Sequence, residues 1–430
     1  MYILYNFLLL IGFIVIFPYY LAIIVLTGKY KKSLGQKFGF VPRDIYERMK
    51  GQPRIWVHAV SVGEVTAAAP IISSIRDHFP GACIVLSTGT ETGQEMARKI
   101  CTQVTAYFYY PLDIPFVVKK VIRTVNPDIF ILVETELWPH FIRISKAQGT
   151  KIVMVNGRIS PRSFKRYKLT RFFWKGIVNA IDEIGVISII DADRLKEMGA
   201  RPEKIHVLGN AKYDSLAAKA SPGFREEIAS RLGMHPGEPI FVAGSTHEGE
   251  DRIVFDVYRK ILDRYPDFKL ILIPRHPERG QDVLVLAKTL GFEDCIVMSD
   301  IAKGKKRTDE RVVIIDVIGE LFKVYSLATV VFCGGSLVQR GGQNILEPAA
   351  WGKMVFYGPS MEDFREEREL LEAAGAGVMV RNGAELLGGI LNFLADPEEL
   401  NRRGSRGRDI VIANMGAAQR YAAMIRMHLK

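Results

Sequence analysis

Residues 54–65 read RIWVHAVSVGEV. The run from Ile55 to Val60 is apolar except for His58, without the polar alternation of a half-exposed strand, as a strand covered on both faces requires. It stops at a corner of small residues, and Glu64 stands where a helix would begin. The same unit recurs at 82–88 (ACIVLST), 128–134 (DIFILVE), 151–155 (KIVMV) and 183–188 (EIGVIS). Strands of this kind alternating with helical patterns predict a parallel sheet wrapped by helices. Small and polar residues at 211–223 (AKYDSLAAKASPG) interrupt the pattern, which restarts at 239–245, 268–274, 311–316, 329–335 and 353–358. A chain of 430 residues exceeds the usual size of one domain. The fold class is therefore α/β, with two doubly wound domains and a linker. A last helical stretch, roughly 405–428, is amphipathic enough to pack back on the first domain.

Residues 2–27 carry no charge and exceed the roughly 20 apolar residues that cross a bilayer. No basic residue precedes this core and no small-x-small cleavage site follows it, so it reads as a membrane anchor rather than a signal peptide. Lys29, Lys31, Lys32, Lys37 and Arg43 form a basic collar, which by the positive-inside rule leaves the rest of the chain in the cytoplasm. Pro18 leaves spanning and shallow embedding both open. The net charge of +11 points to anionic partners. Residues 157–175 concentrate it: seven basic side chains, no acidic one, and five interleaved aromatics. Such a stretch suits single-stranded nucleic acid or a phosphorylated lipid at a bilayer, and the apolar N-terminus favours lipid. The four cysteines are scattered singly and read as reduced core residues. The histidines lack any metal-ligand spacing. Asp191-Ala192-Asp193 reads as a helix start.

In open α/β sheets ligands bind beyond the carboxyl ends of the strands. Gly244-Ser245-Thr246 ends one run, where small residues let amides approach an anion; Ser245 with Glu248 equally fits a capping box. Pro274-Arg275-His276 ends the next and puts a guanidinium where a phosphate could be clamped, or simply in a solvated turn. Gly334-Gly335-Ser336 precedes GGQNILEP at 341–348, in which Asn344 fits a helix cap and Glu347 could accept hydrogen bonds from ribose hydroxyls. The first half has no G-x-G-x-x-G after its opening strand, which argues against a dehydrogenase. It offers carboxylates instead: Glu134 and Glu136 in ETELWP, and Glu64, which with Ser61 fits a capping box as well as a general base.

Taken together, HAVSVGE, VETELWP, NGRIS, GNAKYDS, VAGSTHEGE, PRHPER and GGQNILEPAAWG, in order from residue 58 to 352, resemble the Kdo transferases of lipopolysaccharide synthesis. That resemblance implies a B-type glycosyltransferase fold, two Rossmann-like domains facing across a cleft, held at the cytoplasmic face of the inner membrane by its N-terminal anchor. Its expected divisions are an anchor at 1–28, an acceptor-binding domain at 29–212, a linker at 213–223 and a donor-binding domain at 224–430. The implied partners are CMP-Kdo, a phosphorylated lipid A precursor (lipid IVA) and the membrane, without nucleic acid, cofactor or metal. Glu64 is implied as general base of an inverting transfer. Lys212, Gly244, Ser245, Thr246, Pro274, Arg275, His276, Gly334, Gly335, Ser336, Asn344 and Glu347 fall to the donor. Glu136, with the basic Arg158, Arg162, Lys165 and Arg166, falls to the acceptor. Alternatives are a lipid-linked glycosyltransferase with a UDP donor, a nucleotide-sugar epimerase on the same fold, and a membrane-tethered nucleic-acid binder.

Overall fold

The computed structural model describes residues 31–429, together with residues 5–7, 9–12, 14, 15 and 26. The chain forms two compact units, residues 1–215 with 415–430, and residues 216–414.

The first unit contains β1 (Arg54–His58), β2 (Cys83–Thr88), β3 (Ala106–Tyr109), β4 (Ile129–Val133), β5 (Lys151–Gly157), β6 (Glu183–Val186) and β7 (Ile205–Val207). They lie in the order β3-β2-β1-β4-β5-β6-β7, and every pairing is parallel. The order reverses between β1 and β4, which creates a topological switch point at their carboxyl ends. The apolar run of β1 resolves into two alternations. Trp56 enters the core on one face, edge-on to Phe141 at 4.9 Å. Ile55 and Val57 enter the core on the other, against the helix Val62–His78.

The second unit contains β8 (Ile240–Thr246), β9 (Lys269–Pro274), β10 (Cys295–Val297), β11 (Val312–Ile314), β12 (Val330–Cys333), β13 (Val355–Tyr357) and β14 (Gly377–Met379). Their order is β10-β11-β9-β8-β12-β13-β14, again parallel throughout. Here the switch point falls between β8 and β12. Four strands were not evident in the apolar pattern: β3, β7, β10 and β14. They are the four sheet edges, three or four residues long and each with at least one incompletely buried position.

The helix Ala417–Arg426 belongs to the first unit. Tyr421 is fully buried there and donates to the Gly209 carbonyl at 2.8 Å. A Cβ on Gly185 would stand 2.5 Å from the Tyr421 ring, so glycine in β6 is what admits that helix. Residues 213–223, expected as a linker, are helical from Lys212 to Lys219. Asp214 accepts from the backbone N–H of Gly416 at 2.6 Å and of Ala418 at 3.1 Å. It caps the final helix from two hundred residues away in sequence, a contact of the kind worth about 0.5–2 kcal/mol.

Most of the expected anchor, residues 1–28, lies outside the described residues. Among the described residues no helix is long and apolar enough to cross a membrane. The described part of that segment is helical. Tyr5 donates to Asp113 at 2.9 Å, Asn6 Oδ1 lies 2.5 Å from His140 Nε2, and Phe7, Leu10, Ile11, Ile14 and Val15 are exposed. Of the cysteines, Cys83, Cys101 and Cys333 are buried and Cys295 is half-buried; all four are free thiols.

Candidate functional site

In the first unit the site is the corner at the β1–β4 switch point. Ser61 is the residue before the helix Val62–His78, but its side chain makes no cap bond to the backbone. Instead its hydroxyl donates to Glu64 Oε1 at 3.0 Å, and Val60 N–H donates to Glu64 Oε2 at 2.6 Å. Glu64 thus folds back over the corner as an acceptor, and the reciprocal capping box is not formed. Its side chain is 8% exposed. Burial raises its pKa to about 7, and the nearby charges of Glu136 and Glu134 push the same way, against the Val60 and Ser61 hydrogen bonds. A carboxylate poised near neutrality suits proton abstraction at pH 7.

The other carboxylates of the corner come from the end of β4. Glu134 adopts a left-handed backbone, φ 59°, unusual for a residue with a side chain and a strain that clusters at functional sites. Its Oε1 meets Lys212 Nζ at 2.9 Å. Glu136 accepts from the Trp138 indole N–H at 3.0 Å, and burial raises its pKa. Asn156, also left-handed at φ 54°, is the last residue but one of β5 and accepts from Ala211 N–H at 2.9 Å. This pair brings the GNAK segment to the strand ends. Lys212, expected with the donor residues of the second unit, is therefore held in the first. His58 is no competitor as base. It is fully buried, stacked on Tyr110 at 3.7 Å, and burial depresses its pKa to about 3.

The basic segment forms two helices, Pro161–Leu169 and Arg171–Ala180. Arg162, Lys165 and Arg166 are exposed and Arg158 is half-buried. The aromatics are not interleaved with them on the surface: Phe164, Tyr167, Phe173 and Trp174 pack on the core, and only Phe172 is exposed. A row of stacking platforms for nucleic-acid bases is thus absent from these two helices, which leaves an outward cationic face. Phe172, Arg171, Lys175 and Arg201 line an open groove of about 670 Å³ on it.

In the second unit the nominated residues converge on the β8–β12 switch point, but several have internal duties. Gly244 makes room for Tyr325, whose hydroxyl would lie 2.1 Å from an added Cβ. Ser245 is left-handed, φ 56°, inside β8. The next helix begins only at Glu250, so Ser245 and Glu248 form no capping box. Thr246 is buried, with an unpaired hydroxyl among the described residues. Gly334 packs against the Ser245 carbonyl, and Ser336 donates to Cys333 O at 2.5 Å while accepting from Gly358 N–H at 2.8 Å. Pro274 ends β9. Arg275 and His276 beyond it are exposed, and the Arg275 N–H donates to Thr246 O at 2.9 Å. Asn344 Oδ1 accepts from Leu346 N–H at 3.2 Å, and its amide donates to Glu347 at 3.3 Å.

Two residues not nominated from the sequence, Glu250 and His247, stand among these. Glu250 is fully buried and accepts four backbone hydrogen bonds. His247 has a buried, unpaired Nε2 among the described residues; burial depresses its pKa, and Arg340, His276 and Arg275 push the same way against the Glu250 charge. The signal was present in STHEGE, where the less useful Glu248 drew the capping interpretation. Among the described residues no group of three His, Cys, Asp or Glu side chains could hold a metal ion.

Two doubly wound, parallel-sheet α/β units give the chain a fold like that of the B-type glycosyltransferases. The fold is similar over 87% of the chain to a glycosyltransferase from Rickettsia africae ESF-5 (97% of that chain, TM-score 0.54, 14% identity). It is similar over 88% to a UDP-N-acetylglucosamine 2-epimerase (96% of that chain, TM-score 0.60, 15% identity). The sequence is more specific. The profile of the 3-deoxy-D-manno-octulosonic-acid transferase (kdotransferase) family matches residues 32–215. The 3-deoxy-D-manno-octulosonic acid transferase of Haemophilus influenzae (strain ATCC 51907 / DSM 11121 / KW20 / Rd) is 31% identical, covering 94% of this chain and 93% of its own. That of Rickettsia bellii (strain RML369-C) is 29% identical over 80% and 79%. The chain belongs to the 3-deoxy-D-manno-octulosonic acid (Kdo) transferase family, and is a glycosyltransferase.

Proposed function

We propose that the enzyme moves Kdo from CMP-Kdo onto a phosphorylated lipid A precursor, lipid IVA, at the cytoplasmic face of the inner membrane, with Glu64 as general base. The observation that carries the role of Glu64 is its pKa of about 7 at the switch point of the first sheet. An acceptor hydroxyl is too weak an acid to ionise at neutral pH, so its proton must leave as the new bond forms. The hydroxyl oxygen attacks C2 of Kdo, the C2–O bond to the phosphate breaks, and CMP departs with the electron pair. The proton goes to Glu64. Charge growing on the departing phosphate is met by cations of the second unit, foremost Arg275, which is exposed at the end of β9 and makes no ion pair among the described residues. Arg162, Lys165, Arg166 and the neighbouring cations supply a face for an anionic headgroup or bilayer. The exposed apolar side chains of the N-terminal segment support membrane attachment.

The test is incubation of the purified chain with CMP-Kdo and lipid IVA, read by mass spectrometry. A Kdo-bearing lipid is expected. Product from a UDP-sugar but none from CMP-Kdo would replace the donor assignment.

A further inference from the structure

At the second switch point the loop after β12 presents three successive backbone N–H groups, from Gly335, Ser336 and Leu337. Such a nest ordinarily binds a phosphate. Here it is filled from within the protein. Glu250 Oε1 accepts from Ser336 at 3.0 Å and Leu337 at 2.9 Å, and Oε2 accepts from Gly335 at 2.6 Å and His247 at 2.9 Å. A fully buried carboxylate with four N–H donors is well compensated, and charge-assisted bonds of this kind are about twice as strong as neutral ones. The bonds also join two loops that leave different strands, β8 and β12, at the place where ligands bind in this fold.

We infer that Glu250 is a positioning residue of the donor site: its carboxylate occupies the amide nest of residues 335–337 in place of a ligand phosphate and pins the His247 backbone to that loop. Two consequences follow. The donor phosphate is not cradled by these three amides, although the glycines invite that reading. Its place is the face that Glu250 holds in register, with Arg275 on the β9 end and Arg340 on the β12 loop as its cations and the His247 imidazole beyond β8, kept neutral by its lowered pKa, as a hydrogen-bonding group. His247 fits that role, since its ring stands 5.9 Å from His276 and its Nε2 has no partner among the described residues. Gly335 is left-handed, φ 67°, and an added Cβ would meet the His247 ring at 3.2 Å. Loop and imidazole are therefore packed as one unit.

This inference rests on the proposed CMP-sugar donor, and the experiment separates the two. Glu250→Gln keeps the shape but turns an amide NH2 toward two of the four N–H donors. CMP affinity is measured by calorimetry on the full-length protein, and KM is measured for each substrate. Glu250→Gln is expected to weaken CMP binding about tenfold and raise the KM for CMP-Kdo, leaving the acceptor KM unchanged. Glu250→Asp, which restores the charge, should recover part of the loss. Unchanged CMP affinity, or equal rises in both KM values, overturns the positioning role. No CMP binding by the wild type overturns the donor reading instead. Hydrogen exchange on the wild type decides the matter without any variant. The amides of 335–337 should exchange slowly in the free protein and be unaffected by CMP; fast exchange that CMP slows would overturn the inference.

Discussion

Lys212 Nζ lies 2.9 Å from Glu134 Oε1, so the lysine of the GNAK segment neutralises a carboxylate beside the candidate base. Both side chains are partly buried, 31% and 24% exposed, so solvent screens the pair only in part. Without that lysine, three acidic side chains would crowd one switch point. Lys212→Gln is expected to move the acid limb of the pH–rate profile to higher pH, because the charge of Glu134 already raises the Glu64 pKa. The double variant Lys212→Gln/Glu134→Gln should move it back. A profile that stays in place in the single variant refutes the coupling.

Glu64→Gln should lower kcat by about 10²–10⁴, the range for removing a general base, while CMP binding is retained. In the wild type kcat/KM should rise with pH through an inflection near 7. Stability follows the opposite sign. A carboxyl whose folded pKa is raised from 4.5 to about 7 favours folding fully below 4.5, and that advantage is lost as pH rises through 7. Thermal scans should therefore find Glu64→Gln close to wild type at pH 5 and more stable than wild type at pH 8. Normal turnover by the variant excludes the base role.

Asp214→Ala removes the acceptor for Gly416 and Ala418 and is expected to cost about 1–2 kcal/mol. Thermal denaturation should show the transition of the first unit lowered by several degrees, with CMP binding to the second unchanged. Asp214→Asn, which keeps one acceptor, should lose less. Equal stability of all three proteins would show that the final helix is held by packing alone.

Deleting residues 1–27 removes the exposed Phe7, Leu10, Ile11, Ile14 and Val15. Membrane fractionation should shift the protein to the supernatant, while kcat in detergent stays within a few-fold. Retention on membranes would assign attachment to the cationic helices instead.

Ten strands could be read from the sequence because a central parallel strand must be apolar on both faces, as IFILV in β4 is. The four edge strands could not. β7, with its pattern of two half-buried positions and one exposed, has only one neighbour and no need for a continuous run. Glu64 and Arg275 were legible because a strand end followed by a charged side chain is a local pattern. The duties of Gly244 and Ser336 were not, since a glycine facing Tyr325 and a serine bridging Cys333 to Gly358 look like any other loop residues.

Local pattern thus established the α/β class, the two-domain division and the corner carboxylate, because strand burial and helix starts are written within about ten residues of chain. Contacts across large sequence separations assigned the rest. The Glu250 carboxylate reaches amides 85 to 87 residues away, Lys212 reaches Glu134 over 78 residues, and Asp214 reaches the final helix over 202. No local periodicity encodes such pairings. They exist because parallel strands bring distant loops to the same sheet edge, where buried polar groups must find partners.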